Sequence, residues 1–326
     1  MKASAPDWRP LATRESLRRR ATLFASVRQF FASRGVLEVD TPQVVNYTVT
    51  DPQLHSAQVR WPAEDARPRF LHTSPEYAMK RLLAAGSGDI YQLCHVFRGE
   101  EQGALHSSEF MLLEWYRLGW SSAALMSEVD ELLRTLLGAG AGGATRIVSY
   151  EQAFLEALAL NPLTDSDSVI GDCAVAQGLD ASLVRRCSRD ELLDLLMGTH
   201  IGPRLGQDGP VFVHRYPASQ AALARLDPAD PRVALRFELY LHGIELANGF
   251  EELSDAAEQR ARFMEDQRSR AARGLAVPPI DEFLLAALAA GLPPGAGVAV
   301  GMDRLVMLGS GARSIREVLA FSGENA

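Results

Sequence analysis

The sequence predicts an α+β protein, an antiparallel sheet flanked by helices. Three patterns lead there. Residues 91–100 and 109–120 alternate side chains as strands do, and residues 101–108 between them are rich in turn formers, so the two read as an antiparallel pair. Residues 211–216 and 233–241 read as further strands, with Asn248-Gly249 as a tight-turn signal after them. Residues 15–34, 121–137, 255–273 and 280–290 read as helices set around those strands.

At 326 residues the chain is long enough for one large domain or two ordinary ones. Nearly half of it is hydrophobic, as in a compact globular protein, and no apolar run is long enough to cross a bilayer. Arg28 interrupts the apolar stretch after Arg18, Arg19 and Arg20, and no small-residue cleavage site follows, so the N-terminus does not read as a signal peptide. Cys94, Cys173 and Cys187 cannot all pair and have no zinc spacing, which points to a reducing cytoplasm. The formal charge of −8 argues against a surface built to grip nucleic acid.

Taken in order, residues 1–14 form a lead-in. Residues 15–34 place Leu17, Phe24, Val27 and Phe31 on one helical side, and Gly35 ends the helix. A strand and Pro42 follow. In the stretch 71–80, Pro75 suits the first turn of a helix, with Ser74 or Thr73 as its cap and Glu76 favouring its dipole. The strand at 91–100 sets Gln92, Cys94, Val96, Arg98 and Glu100 on one face, and the strand at 109–120 sets Phe110, Leu112, Glu114 and Tyr116 on one face. An arginine, two carboxylates and aromatic rings on one side make poor core, because buried charge is costly unless paired. They suit the floor of a site for a ligand with phosphates, a flat base and an amine.

The glycine run at 138–143 follows a helix rather than a strand, so it reads as a flexible joint and not a phosphate loop. Residues 144–208 read as a helical insertion without a chemical motif, residues 190–200 being its clearest helix. A turn at Asn248-Gly249 would bring Glu245 close to Glu252, and two such carboxylates need a cation between them or a raised pKa. Magnesium with phosphate oxygens would serve. The glycine-bearing stretch 297–301 permits close ligand approach, and Arg304 opens the helix after it, whose N-terminus favours an anion.

Three stretches in this order resemble the class II aminoacyl-tRNA synthetases. Residues 36–42 resemble motif 1. Phe97, Arg98, Gly99 and Glu100, then His106, Glu109-Phe110 and Glu114-Trp115-Tyr116, resemble motif 2. Residues 297–308 resemble motif 3. Within the class, residues 245–250 and the stretch around Glu76 look most like the lysyl branch. The resemblance implies the class II catalytic fold over residues 15–326 and activation of an amino acid by ATP with Mg²⁺. It implies Arg98 on the α-phosphate and the attacking carboxylate, and Arg304 on the γ-phosphate, as the catalytic pair. It implies Phe110 stacked on adenine with Glu100 reading its amino group, further ATP contacts from His106, Glu245, Leu246 and Gly301, and magnesium on Glu245 and Glu252. The amino-acid pocket would be lined by Ser74, Pro75, Glu76, Glu114, Tyr116, Asn248, Glu252 and Ala299. Carboxylates in a partly dry pocket pair well with ammonium groups, so the amino acid would be cationic.

The helix of motif 1 begins near residue 15, which leaves no anticodon-binding domain ahead of it, and the chain is acidic. In this it resembles the lysine ligases of elongation factor P, a branch of the same family, as do residues 73–83, 91–98 and 270–275. That resemblance implies lysine, with (R)-β-lysine preferred, joined to the ε-amino group of a lysine on elongation factor P by a cytoplasmic homodimer that uses neither tRNA nor membrane. Ala299, where lysyl-tRNA synthetases carry glycine, points the same way. Gly99, Ala104 and Ser107-Ser108 depart from the family's motif 2 pattern. A catalytically quiet binding subunit and a truncated tRNA-charging enzyme therefore stay open at this point.

Overall fold

A computed structural model of the chain describes residues 8–60, 68–99 and 103–323. Its centre is a large sheet with spatial order Leu37–Glu38, Ile90–Phe97, Glu109–Leu118, Gly295–Gly301, Ile244–Glu251, Asp230–Leu241, Val211–Pro217 and Arg146–Ser149; Leu226–Asp227 adds to Asp230–Leu241. The inner strands pair antiparallel, as expected. The two edge strands instead run parallel to their neighbours. Each reaches its partner through a long connection that contains helix, and a crossover of that kind permits parallel pairing. A small second sheet joins Val44–Val45, Arg69–Leu71 and Gln58–Val59.

The alternation read from the sequence holds in the register. Gln92 lies opposite Glu114, Cys94 opposite Leu112 and Val96 opposite Phe110. On the next strand Ala299 pairs with Glu114 and Gly297 with Tyr116. The intervening residues Leu113, Trp115, Val298 and Val300 are buried on the other face, against Leu23, Val27, Phe30 and Phe31 of helix Arg14–Ala32, helix Ser122–Leu137 and helix Met302–Ser310. Leu23 and Phe30 take the buried places expected of Leu17 and Phe24, which are only half-buried. One sheet face is thus core, and the other is left for a site.

Residues 248 and 249 form no turn. Ile244–Glu251 is one unbroken strand, and the chain reverses at His242-Gly243, where both residues have positive φ (51° and 73°) between the paired Leu241 and Ile244. Two positive φ values in a two-residue loop match the twist of a hairpin. Gly249 serves another purpose: a Cβ there would lie 2.3 Å from Cζ of Phe237, its cross-strand partner. Glu245 and Glu252 therefore stand seven residues apart along extended chain, about 23 Å at ~3.3 Å per residue. The expectation that they share one cation is corrected.

The glycine run at 138–143 is a 3₁₀ turn, Gly138–Ala141, and then a packed joint: the Gly143 N–H donates to the Asp208 carbonyl at 2.7 Å, and a Cβ on Gly142 would lie 2.9 Å from that oxygen. Residues 144–208 contribute the edge strand Arg146–Ser149, which the sequence did not suggest, and helices Tyr150–Leu158, Asp167–Ala176, Ala181–Val184 and Arg189–Leu196. They bury Phe154, Leu193 and Leu196 with Val213 and Tyr216 in a separate apolar cluster at that end of the sheet. Helices Glu76–Ala84, Ala256–Ala272 and Glu282–Gly291 close the opposite end around Met79, Leu83, Phe263 and Leu285.

Candidate active site

A cleft of about 1310 Å³ lies over the polar face of the sheet. It exceeds the ~300–1,000 Å³ of an ordinary small-ligand pocket, leaving room for two substrates. It is lined by Ser74, Glu76, Arg98, His106, Phe110, Glu114, Tyr116, Glu245, Leu246, Asn248, Glu252, Ala299, Gly301 and Arg304, so nearly all the site residues read from the sequence meet in it. Pro75 lines a smaller neighbouring cavity of about 290 Å³ instead. Glu100 lies outside the described residues.

One end of the cleft is cationic. Arg98 follows strand Ile90–Phe97; its N–H donates to the Ser108 carbonyl at 2.9 Å, which closes the base of the motif 2 loop, and its guanidinium sits 5.1 Å from the centre of the Phe110 ring. Gly99 donates to the His55 carbonyl at 2.7 Å, and a Cβ there would come within 3.1 Å of the His55 Cβ. The glycine that departs from the family pattern thus accompanies a close approach of the loop carrying His55. Arg304 donates to the Glu245 carbonyl at 2.7 Å, to the Leu105 carbonyl at 3.2 Å and to Nε2 of His106 at 2.8 Å. The last bond requires an unprotonated Nε2 on His106. Its neighbour Asp303, 3% exposed, accepts from the Met111 N–H at 2.8 Å and pairs with Arg20, which ties the helix start to the sheet and to helix Arg14–Ala32.

The other end is acidic. Glu76 opens helix Glu76–Ala84, with Pro75 at its N-cap rather than in its first turn and the Ser74 hydroxyl accepting from the Glu76 N–H at 3.4 Å. Glu114 and Glu252 are buried, and the Tyr116 hydroxyl donates to Glu114 Oε1 at 2.7 Å. Burial first, and then the charge of Glu76, pushes the Glu114 carboxyl up to about 8. Burial pushes Glu252 up to about 7, against the opposing pull of Lys80. Lys80 Nζ lies 2.8 Å from Glu76 Oε1 and 2.5 Å from Glu252 Oε2.

Between the ends, Asn248 Oδ1 accepts from Arg236 Nε at 3.3 Å. Arg236 also donates to Glu238 at 2.6 Å, and Glu238 accepts from the Tyr216 and Tyr240 hydroxyls at 2.5 and 2.7 Å. Burial and then the charge of Glu238 raise the Glu245 carboxyl above its ordinary value. The acid near Glu245 is therefore Glu238, while Glu252 belongs to the Lys80 cluster. Among the described residues no group of three or more His, Cys, Asp or Glu side chains could by itself hold a metal ion.

Lys80, Arg236 and Glu238 were missed in the sequence. Lys80 carried one readable signal: it is one of two lysines, with Lys2, in a chain of 31 arginines, and it stands one helical turn after Glu76. No helix among the described residues is long and apolar enough to cross a membrane.

The chain is similar to known proteins over almost its whole length. The sequence model of the class II tRNA synthetases (D, K and N) matches residues 1–325. The elongation factor P--(R)-beta-lysine ligase of Pectobacterium atrosepticum is 49% identical over 323 residues, 98% of each chain. The proteins of the same name from Vibrio vulnificus and Vibrio cholerae are 51% and 50% identical over 318 residues, covering 97% of this chain and 98% and 97% of theirs.

Proposed function

We propose, from the premise that the chain belongs to the class II tRNA synthetases of the D, K and N group, that it is an ATP-dependent, AMP-forming ligase that activates lysine, with (R)-β-lysine preferred, and passes it to the ε-amino group of a lysine on elongation factor P. The observation that carries this reading is the polarity of one cleft: Glu76, Glu114 and Glu252 at one end, Arg98 and Arg304 at the other. The names of the relatives supply the acceptor and the isomer.

In this reading the lysine carboxylate attacks the α-phosphorus of ATP in line and pyrophosphate leaves. The acceptor amine, in its uncharged form, then attacks the carbonyl of the mixed anhydride, loses its extra proton and expels AMP. No protein group becomes covalent, so catalysis is positioning and charge neutralisation. Arg98, anchored by the strand before it, lies against the α-phosphate and the attacking carboxylate. Arg304, fixed by two carbonyls and His106, takes the terminal phosphate. Phe110 gives adenine an apolar face, Glu100 reads the adenine amino group, and Leu246 and Gly301 complete the nucleotide walls. The acidic end takes the ammonium groups, with Ser74, Tyr116 and Asn248 orienting the backbone of the amino acid and Pro75 shaping the wall behind Ser74. The Ala299 methyl beside Glu114 narrows the floor; one methyl is worth only about 1–3 kcal/mol of discrimination, enough to bias between isomers.

Magnesium would be held by Glu245, which lines the cleft beside Arg304, together with phosphate oxygens; Glu238 is already engaged by Arg236, Tyr216 and Tyr240. When bound it supplies neutralisation of phosphate charge. The protein acts as a homodimer through the motif 1 region, where Leu37 is 55% exposed on a sheet edge that would otherwise stand open. The acidic chain does not recruit tRNA.

The test is lysine-dependent exchange of labelled pyrophosphate into ATP, run with each lysine isomer, followed by transfer to elongation factor P or to tRNA. Exchange with a lysine isomer and transfer to the protein acceptor are expected; no exchange with any isomer would overturn the reading. Arg98→Ala should lower exchange by about a thousandfold or more at an unchanged unfolding temperature.

A further inference from the structure

We propose that Lys80 is a positioning residue that sets the charge complement of the amino-acid pocket: it neutralises one of three carboxylates from within the fold, leaving two negative charges for the two ammonium groups of one diamino acid. The inference rests on the reading of the acidic end as the lysine site, and adds to it why three carboxylates serve a dication.

The Lys80 side chain is 1% exposed and is not part of the cleft wall. Its Nζ bridges Glu76 on its own helix, one turn back, and Glu252 just past strand Ile244–Glu251, at 2.8 and 2.5 Å. Glu252 and Glu114 are buried, and the Glu76 side chain is 13% exposed. Charge in such a place has to be matched, because the surroundings screen it poorly. Facing these carboxylates are Tyr77 and Lys80 from the helix, Tyr116 from strand Glu109–Leu118 and the buried Cys94 thiol from strand Ile90–Phe97. Among the described residues Lys80 is the one cation in that set.

The choice of lysine is informative. The chain uses arginine for 31 of its 33 basic side chains, yet it places a lysine here. A compact ammonium with three donors fits between two carboxylates where a planar guanidinium would force them apart. Burial alone would lower the Lys80 pKa, and the charges of Glu252 and Glu76 more than reverse that, so the ammonium stays charged at all working pH values. The same charge pulls Glu114 and Glu252 down, against burial. Near neutral pH the empty pocket therefore holds protons on these two acids, and an entering diamine displaces them.

The test compares wild type, Lys80→Met, Lys80→Arg, Glu76→Gln and the double variant Lys80→Met/Glu76→Gln in lysine-dependent pyrophosphate exchange across pH. In Lys80→Met the acid limb of kcat/KM should move to higher pH by about one pH unit, because the charge that draws the two raised carboxylates back down is gone. KM for lysine should rise about tenfold or more, with kcat changed less. Lys80→Arg keeps the charge and should keep the limb while raising KM. The double variant restores two net negative charges, and its limb should return toward wild type. A packing role alone would lower activity without moving the limb. Should Lys80→Met fail to fold, Glu76→Gln and the double variant decide the same question: the limb should lie acid of wild type in the first and move back in the second. An unmoved limb in Lys80→Met, or identical limbs in Glu76→Gln and the double variant, would refute the proposal. Wild-type protein without lysine-dependent exchange would instead refute the assigned activity.

Discussion

At position 297 a single methyl group would collide with two side chains of the acidic end. A Cβ on Gly297 would lie 2.3 Å from Cε1 of Tyr116 and 2.7 Å from Oε1 of Glu252. Both neighbours are buried and neither can move without disturbing the acidic end. Gly297→Ala should therefore raise KM for lysine by about tenfold or more and cost about 1–3 kcal/mol of stability, with ATP affinity little changed. Isothermal titration with each substrate checks this, and an unaltered lysine affinity would count against the site. Residues of this kind differ in how well the sequence displays them. Glu114 was legible because a carboxylate on a strand otherwise fit for core has to be accounted for. Lys80 was less so: its rarity in an arginine-rich chain was a signal, but a lysine four residues after a glutamate on a helix has the spacing of an ordinary surface pair, and its burial is what gives that signal meaning. Glu238 was hidden in the same way, within a strand that read as apolar.

The elements decide where those side chains point. Arg304 reaches the cleft because helix Met302–Ser310 starts at a fixed place, and Asp303 fixes it by accepting from the Met111 N–H and pairing with Arg20. Asp303→Ala removes both ties and leaves Arg20 facing a buried gap. Loss of one partner of a buried pair costs about 3 kcal/mol or more. Exchange should fall through kcat and the KM for ATP, while the KM for lysine, set at the other end of the cleft, stays near wild type. Equal rises in both constants would show that the helix start is not what positions Arg304. Elements with a long, regular pattern were legible: each of the helices read at 15–34, 121–137, 255–273 and 280–290 lies within three residues of its place in the fold. The error at Asn248-Gly249 came from reading a turn pair without its partner strand. The glycine there answers to the Phe237 ring across the sheet, a neighbour twelve residues away that local reading does not see. The edge strand Arg146–Ser149 was hidden because its four residues gain their place from pairing with Val211–Pro217 and not from their own pattern.

For the whole molecule, the buried acids make stability depend on pH and on the substrate together. Burial raises Glu114 to about 8 and Glu252 to about 7 from an ordinary 4.5. Burial also raises Asp194 and Asp266 to about 6. Between the ordinary carboxylate range and these values the folded chain holds protons that the unfolded chain has released. Stability contributed by these groups is full below the unfolded pKa and is lost as pH rises through the folded values. The free protein should accordingly become less stable from about pH 5 to about pH 8, the reverse of a protein whose carboxylates are all well paired. In the proposed function a diamine binds the ionised acids, so saturating lysine should raise the unfolding temperature more at the alkaline end of that range than at the acid end. Glu114→Gln replaces the most strongly perturbed of these acids with an amide that cannot titrate, and should flatten the decline by on the order of 1–3 kcal/mol while abolishing most of the stabilisation by lysine. Thermal unfolding across pH, with and without lysine, separates the two effects. A variant that kept the wild-type slope would show that the charge buried under the cleft is held some other way.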